Sequence, residues 1–442
     1  MTTLVDDIKD YLIEAASLKK YGRVVQMIGM SIEVAGIQSA IGDGCLIYRD
    51  NALPVMAEVV ALGETTLKCL PYGNTNGLKA GALVEPLNHP LPILVGEQLL
   101  GRVLDGLGQP IDGGEPIFKL DKVSIDATPP HPLRRKLVTE QLELGVKVLD
   151  GFIPCGKGQR LGIFAGSGVG KSSLMSMIIR GTKADVSVIA LVGERGREVS
   201  ELIERDIGEE GLARSVIVVA TSDAPALVRI RAAFTATRIA EWFRDQGKDV
   251  LLFMDSLTRF AMAQREVGLA AGEPPATRGY PPSVFGLLPK LLERAGTSEN
   301  GSITGLYTVL VEGDDMNEPI ADSARSILDG HIQLSRQMAE KGHYPAVDIL
   351  GSISRVAPAI TSEDILECQI AIRRLLAAYR DSKDLIEINA YVKGTDPIVD
   401  SAIITKPRID EFTAQKTSDL YSLNSTKESL KALLGENSDE AL

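Results

Sequence analysis

Cysteine and histidine are scarce in this chain, with four of each among 442 residues. The cysteines are Cys45, Cys69, Cys155 and Cys368. Their wide spacing and the lack of any CxxC pair disfavour a disulfide framework and a structural metal site. The histidines show no metal-ligand spacing either. This cysteine usage fits a reducing compartment, and we expect a cytoplasmic protein.

Long apolar runs and a basic balance are also missing. No stretch approaches the roughly 18 apolar residues of a transmembrane helix, and no signal peptide is recognisable, so we expect neither a membrane span nor secretion by that route. Lys and Arg number 47 against 59 Asp and Glu, which gives a net charge of −12. Because binding to phosphate backbones requires a basic face, we expect no nucleic-acid partner.

The residue pattern changes three times along the chain, which is long enough for about three domains. We predict an amphipathic helix at 1–20, a β-rich domain at 21–90, an α/β domain at 91–362 and a helical domain at 363–442. Short strands with glycine punctuation in the second segment are typical of a small barrel or sandwich. Apolar strands alternating with helices in the third segment predict a doubly wound parallel sheet.

The predicted N-terminal helix carries its apolar residues on one face. They are Leu4, Val5, Ile8, Tyr11, Leu12, Ala15 and Ala16. Two interpretations remain open: the helix packs on its own domain, or it docks on a partner or a membrane surface.

A phosphate-binding loop is the most informative segment. Residues 165–172 read AGSGVGKS, between an apolar strand pattern and the start of a helix. Such a loop turns main-chain N–H groups toward a phosphate at a helix N-terminus. The predicted nucleotide-binding residues here are Gly166, Ser167, Gly168, Val169, Gly170, Lys171, Ser172 and Ser173. Lys171 is expected to contact the β- and γ-phosphates of ATP, and Ser172 to hold Mg²⁺. The usual pattern begins with glycine, and Ala165 stands in its place.

Acidic residues follow two of the predicted strands. Asp255 ends the apolar run 249–254, where a carboxylate can hold Mg²⁺ through water; alternatively it is a turn or helix-cap residue. Glu194 follows the run 187–192 and is a candidate to orient and deprotonate the attacking water; alternatively it belongs to a solvated charge run. Strand C-termini in such a sheet point toward the ligand.

Several long motifs resemble the rotary ATPase superfamily, in order along residues 22–405. They are GRVLDGLGQPIDG at 101–113, LGVKVLDGFIPCGKGQR at 144–160, the loop at 165–172, VGERGRE at 192–198 and LLFMDSLTRF at 251–260. The resemblance implies a RecA-like nucleotide-binding domain between an N-terminal β-barrel and a C-terminal helical domain.

Further segments resemble one branch of that superfamily, the type III protein-export ATPases, and its flagellar members most. They are residues 272–285, 288–296, 311–322, 326–332 and 384–396. The acidic lever segment of the ATP-synthase β subunit is absent, which argues against an ATP synthase. Segment 272–285 resembles a loop that contacts a central shaft; alternatively it is a rigid surface loop.

The resemblance also implies roles for individual residues. Glu194 falls on the catalytic glutamate, and Arg195 and Arg259 on residues around the γ-phosphate. Arg355 falls on an arginine finger that enters a neighbour's site, and Tyr344 on the aromatic residue that stacks on adenine. With Lys171, the implied catalytic set is Glu194, Arg195 and Arg355.

The implied working form is a homohexamer that hydrolyses Mg²⁺-bound ATP at the cytoplasmic face of a flagellar export apparatus. Implied partners are a regulator, a central stalk protein and complexes of chaperones with export substrates, and peripheral membrane association is open. The alternatives are the same ATPase in an injectisome, a rotary synthase subunit, a non-enzymatic nucleotide-binding subunit and an RNA translocase.

Overall fold

The computed structural model describes residues 20–311, 313 and 315–434. The helix predicted at 1–20 lies, apart from Lys20, outside the described residues. No helix in the described ranges has the length and apolar character needed to cross a membrane.

Six antiparallel strands close a small barrel near the start of the described chain. They are β1 Gly22–Ile28, β2 Ser31–Ala35, β3 Gly44–Arg49, β4 Ala52–Leu62, β5 Thr66–Pro71 and β6 Leu83–Pro86, in the order β1-β2-β5-β4-β3-β6. Alternate residues of each strand point inward, as the period of two requires. Ile32, Ile47 and Val59 are fully buried in this core. A closed barrel, rather than a sandwich, is therefore formed.

Short strands and turns connect the barrel to the central domain. They are β7 Ile93–Val95, β8 Val103–Asp105, β9 Asp121–Val123, β10 Gln141–Leu142 and β11 Cys155–Gly156, with 3-10 turns at Glu97–Leu99 and Pro132–Arg134. Strand β8 joins the edge of the central sheet, next to β14.

The central domain is built on a nine-stranded sheet. Its further strands are β12 Arg160–Ala165, β13 Val186–Val192, β14 Ser215–Ala220, β15 Asp249–Asp255, β16 Gly296–Thr297, β17 Ser302–Leu310, β18 Gly330–Leu334 and β19 Val347–Ser354. The order is β19-β18-β12-β17-β15-β13-β14-β8, with β16 paired to β17. All pairs are parallel except β18 with β19 and β16 with β17.

Helices cover both faces of this sheet and form the C-terminal region. They are α1 Lys147–Phe152, α2 Lys171–Gly181, α3 Gly196–Glu201, α4 Gly208–Ala213, α5 Ala226–Asp245, α6 Leu257–Ala271, α7 Pro282–Leu292, α8 Pro319–Ile327, α9 Arg336–Glu340, α10 Ala357–Ile360, α11 Glu363–Glu387, α12 Pro397–Thr413 and α13 Leu423–Ala432. A π-helical turn, Leu202–Ile207, separates α3 from α4, and a 3-10 turn spans Thr277–Gly279.

Two apolar cores lie on opposite faces of the sheet. Phe243, Phe260 and Leu288 belong to the core under α5, α6 and α7. Phe152 and Phe412 belong to the other core, where their rings meet edge to face at 5.8 Å and join α1 to α12. Apolar burial on both faces explains the continuous hydrophobic runs of the parallel strands. The predicted fold class is confirmed: a barrel, a doubly wound nucleotide-binding domain and a helical C-terminal region.

Candidate active site

The phosphate-binding loop joins the end of β12 to the start of α2. Gly168 and Gly170 have φ angles of 77° and 92°, which favour glycine and explain both positions. Val169 is buried and anchors the loop. Ala165 is still part of β12 and pairs with Leu310, so regular strand geometry accepts its methyl group.

The remaining loop residues differ in exposure. Gly166 is buried, whereas Ser167, Ser172 and Ser173 are exposed at the surface of the loop and the first turn of α2. The main-chain oxygen of Ser167 accepts a hydrogen bond from Arg336 of α9 at 3.3 Å. Loop N–H groups and the positive end of α2 are thus available to an anion from outside.

Three predicted residues meet at the C-terminal edge of the sheet. The Lys171 Nζ lies 2.6 Å from Asp255 Oδ1 and 3.7 Å from Glu194 Oε1. They come from three elements, α2, the turn after β13 and the end of β15, and all three side chains are largely buried. Asp255 is therefore a side chain of the site rather than an exposed turn residue.

Thr308 is a site residue that the sequence did not reveal. Its hydroxyl, on β17 between β12 and β15, donates a hydrogen bond of 2.5 Å to Asp255 Oδ1. Lys171 and Thr308 thus donate to the same carboxylate oxygen. The sequence did not single it out, because the same strand also contains Ser302 and Thr304, which are buried as well.

Burial and charge set the protonation of Glu194. Desolvation and the nearby Asp255 carboxylate raise the pKa of Glu194 to about 7, against the opposing effect of Lys171. For Lys171, burial lowers the pKa, but Asp255 and Glu194 outweigh it, so the pKa lies above its ordinary value. A carboxyl group that titrates near neutral pH is suited to accept a proton from water.

Side-chain oxygens of a kind that can bind Mg²⁺ line one small pocket beside the loop. Ser172, Glu194 and Asp255 all contribute to its wall. Glu194 Oε1 is buried and has no hydrogen-bond partner within the described part of the chain. Hydroxyl and carboxylate oxygens are the ligands that Mg²⁺ prefers, so these residues fit the ion.

Tyr344 lies against the phosphate loop. A Cβ atom on Gly170 would lie 3.1 Å from the tyrosine ring. The side chain is 43 % exposed, and the main-chain oxygen of Tyr344 accepts a hydrogen bond from Gln415 of the C-terminal region. An exposed ring next to the loop is free to stack on a nucleotide base, and the stacking of Tyr344 on adenine stays a prediction.

The two arginines predicted around the γ-phosphate differ in position. Arg259 packs on Gly193, where a Cβ atom would lie 2.8 Å from Arg259 Cβ, and its buried Nε has no partner within the described residues. Arg195 is 82 % exposed and lies 3.8 Å from Glu198. The structure thus brings Arg259 next to the turn that carries Glu194, whereas Arg195 faces solvent.

Arg355 and the phosphate loop lie at opposite ends of the strands of the sheet. It follows β19, which is antiparallel to β18, and its N–H donates to the oxygen of Asp329 beside the start of β12. The loop begins six residues further along β12, about 20 Å away at the usual rise per strand residue. The side chain is exposed and has no ion-pair partner among the described residues. Arg355 therefore cannot reach the nucleotide site of its own chain.

Three family models match consecutive parts of the chain. Residues 24–88 match the β-barrel domain of the ATP synthase alpha/beta family, and residues 145–354 match its nucleotide-binding domain. Residues 361–432 match the C-terminal domain of the type III secretion ATPase EscN.

Individual proteins are similar over nearly the whole length. The flagellum-specific ATP synthase of Bacillus subtilis is 51% identical across 95% of this chain and 96% of its own length. The type 3 secretion system ATPase of Xanthomonas euvesicatoria is 50% identical across 94% of both chains. The assembled ATPase EscN of enteropathogenic E. coli superimposes with a TM-score of 0.88 at 46% identity, covering 93% of this chain and 100% of that one.

Proposed function

The chain belongs to the ATP synthase alpha/beta family, among its flagellar and type III secretion ATPases, and on this premise we propose that it hydrolyses Mg²⁺-bound ATP to assist protein export. One observation carries the chemistry. Lys171, Glu194 and Asp255 converge at the edge of the sheet where the phosphate loop begins α2. This combination supplies a phosphate-binding cation, a base near neutral pKa and a metal-binding carboxylate.

Each residue then has a distinct task. Loop N–H groups and Lys171 hold the phosphates, and Glu194 orients the attacking water and accepts its proton. Ser172 and Asp255 hold Mg²⁺, which neutralises phosphate charge when bound. Tyr344 stacks on the adenine. Arg259, next to the turn that carries Glu194, and Arg195, in that turn, neutralise negative charge around the γ-phosphate. For Arg195 this requires its exposed side chain to rotate toward the site.

Arg355 completes the site of a neighbouring subunit in a homohexameric ring. Its exposed side chain and its position about 20 Å from its own phosphate loop support action in trans. EscN has been solved as an assembled ATPase and also in complex with its central stalk EscO. By analogy, this chain forms a ring around a stalk at the cytoplasmic face of the apparatus and works with a regulator and chaperone–substrate complexes.

We further propose the flagellar apparatus as the system served. The flagellum-specific relative and the injectisome-type relative are nearly equally similar, at 51% and 50% identity, so the second system remains the alternative. Expression in a strain that lacks its own flagellum-specific ATPase, with motility and flagellin secretion as readouts, distinguishes the two. Restored secretion supports the flagellar assignment; restoration only in an injectisome-deficient strain overturns it.

The trans arrangement is tested by mixing two inactive variants. Arg355→Ala keeps an intact site but lacks a finger, whereas Glu194→Gln keeps the finger and lacks the base. In reassembled mixed rings, about a quarter of the interfaces combine an intact site with an intact finger. ATP hydrolysis should therefore return on mixing, although each variant alone is nearly inactive, since a finger contributes on the order of 10³–10⁵ in rate.

Absence of rescue, with mixed rings demonstrated by mass measurement, contradicts the trans finger. Hydrolysis that persists in Glu194→Gln at wild-type rate contradicts the catalytic role of Glu194. These two outcomes separate the assembly part of the proposal from the chemical part.

A further inference from the structure

An arginine of the C-terminal region holds the strand that leads to Arg355. Arg373 lies on α11, and its Nη1 donates hydrogen bonds to the main-chain oxygens of Ile349 and, at 3.3 Å, Ser352. Its Nη2 donates to the oxygen of Phe152 at 3.0 Å. One guanidinium thus joins α11 to two points of β19 and to the end of α1.

The position of β19 in the sheet explains why these hydrogen bonds from Arg373 are important for holding the strand. It is the edge strand of the sheet, so one row of its main-chain groups has no neighbouring strand to pair with. The planar guanidinium of an arginine holds donors on separate nitrogens in fixed directions and can reach carbonyl oxygens that lie apart, whereas the three donors of a lysine all sit on one nitrogen. Arg373 therefore replaces the missing neighbour strand with a contact from the C-terminal region.

Arg373 is an unusual charge for this purpose. Among the described residues no carboxylate lies within ion-pair distance of it, and burial lowers its pKa although Asp348 opposes the shift. The N–H groups of its guanidinium that form hydrogen bonds donate to main-chain oxygens. A half-buried cation loses hydration, and hydrogen bonds to carbonyl oxygens alone do not replace the attraction of an opposite charge. For packing alone, an apolar side chain at this position would therefore be more favourable.

Hydrogen bonds on the other side of the strand end attach it to segments that precede β12 and β18 of the central sheet. Ser354 Oγ donates to the oxygen of Pro154 at 2.7 Å and accepts from Gln159 Nε2 at 3.0 Å. The N–H of Arg355 donates to the oxygen of Asp329 at 3.0 Å. The main chain before Arg355 is consequently held between the sheet and α11, while the Arg355 side chain itself is exposed.

We infer that Arg373 is a positioning residue for Arg355, through which the C-terminal helical region controls the arginine finger offered to the neighbouring subunit. The inference rests on the proposed trans role of Arg355. A movement of α11, for example on binding of a partner to the C-terminal region, would pull on β19 and alter hydrolysis in the neighbour's site rather than in its own.

The adjacent residue provides a matched control. Arg374 lies on the same helix and is exposed, so Arg374→Met removes the same charge without touching β19. Arg373→Met should lose at least tenfold in ATP hydrolysis while binding a fluorescent ATP analogue as tightly as wild type. Arg374→Met should hydrolyse ATP at close to the wild-type rate.

Mixing locates the defect of Arg373→Met. If only its finger is misplaced, its own site remains competent, so mixing with Glu194→Gln should restore activity to the level that Arg355→Ala reaches with the same partner. Mixing with Arg355→Ala should restore nothing, because neither protein then donates a working finger. A defect in its own site predicts the reverse pattern.

Arg373→Lys serves as the second variant, since it keeps the charge and the aliphatic stem and is the safer choice for folding. It should show the same mixing pattern with a smaller loss. Wild-type activity of both Arg373 variants, or rescue by Arg355→Ala, overturns the inference. If Arg355→Ala itself is not rescued by Glu194→Gln, the trans finger fails, and the role of Arg373 falls with it.

Discussion

Glu194 is the residue whose ionisation should govern the pH dependence of hydrolysis. Its pKa is raised to about 7 by desolvation and by Asp255, and the carboxylate form is the one that accepts a proton. Below pH 7 the group binds a proton and loses this ability; above pH 7 it is ionised. We therefore expect kcat/KM to rise with pH through about 7.

The measurement is a steady-state ATPase assay at constant ionic strength, with Mg²⁺ in excess so that the nucleotide remains complexed. In saturating nucleotide the kcat profile reports the same carboxyl group in the complex, where Mg²⁺ lowers the pKa of Glu194 and the nucleotide phosphates raise it. A kcat/KM profile that is flat between pH 6 and 8 would argue against Glu194 as the base.

Substitutions at Lys171 and Glu194 should affect ATP binding and ATP hydrolysis differently. Glu194→Gln removes the base but no contact to phosphate, so ATP affinity should remain within a few fold while hydrolysis is lost. Lys171→Ala removes the cation that faces the phosphates and leaves Asp255 without its partner at 2.6 Å, so both binding and hydrolysis should fall. Calorimetric titration with ATP and Mg²⁺ measures the difference, with the exposed Lys183→Ala as control.

The convergence of Lys171, Glu194 and Asp255 could be predicted because each follows a recognisable strand pattern, and parallel strands end at one edge. Thr308 could not be predicted, because its role depends on which strand lies between β12 and β15. The orientation of Arg195 was equally inaccessible, since an exposed turn allows its side chain several directions. The residue roles stay predictions that the variants above test.

At the scale of elements, a buried ion pair joins α5 to the turn after α7. Arg294 donates two hydrogen bonds of 2.7 Å to the Glu241 carboxylate, and both side chains are almost completely buried. Glu241→Ala leaves an uncompensated buried guanidinium, so we expect a loss of about 3–5 kcal/mol in the free energy of unfolding.

The chain contains one tryptophan, Trp242, and it lies beside Glu241 on α5. Its fluorescence in a urea titration therefore reports on this region. The double variant Glu241→Leu with Arg294→Met should recover part of the loss, because it removes both charges. A midpoint for Glu241→Ala equal to that of wild type would show that the pair contributes little.

The element pattern was largely predictable from the sequence. The apolar runs at 187–192 and 249–254 correspond to β13 and β15, and helices such as α5 lie between the strands, as the predicted alternation requires. Barrel closure was not decided by the sequence, because alternation of inward and outward residues is the same in a sandwich. Nor did it reveal that β19 runs antiparallel at the sheet edge, since strand direction is set by connections rather than by residue type.

At the scale of the whole molecule, activity should depend on assembly. A site that needs Arg355 of a neighbour hydrolyses ATP poorly in a monomer, so specific activity should rise with protein concentration. A dilution series of ATPase measurements, paired with mass photometry of the same samples, checks this. Arg355→Ala should assemble to the same extent and stay nearly inactive, whereas a specific activity independent of concentration in purely monomeric samples would contradict the dependence.

The resemblance to type III protein-export ATPases was confirmed by relatives that match nearly the whole chain. It was accessible from the sequence because its long motifs occur in order. The packing of α11 against β19 was not, since it depends on contacts between residues far apart in the chain.

The nucleotide site and Arg355 lie at opposite ends of the strands of one sheet, and this placement has a genetic consequence. With Glu194 and Arg355 acting as proposed, a chain that carries both Glu194→Gln and Arg355→Ala inactivates two neighbouring interfaces for each position it occupies in a ring. With normal chains at a fraction f, about f² of the interfaces remain competent, so a threefold excess of the defective chain leaves roughly one in sixteen. Such an allele should therefore be dominant over the normal gene, and residual hydrolysis should follow the square of the fraction of normal chains.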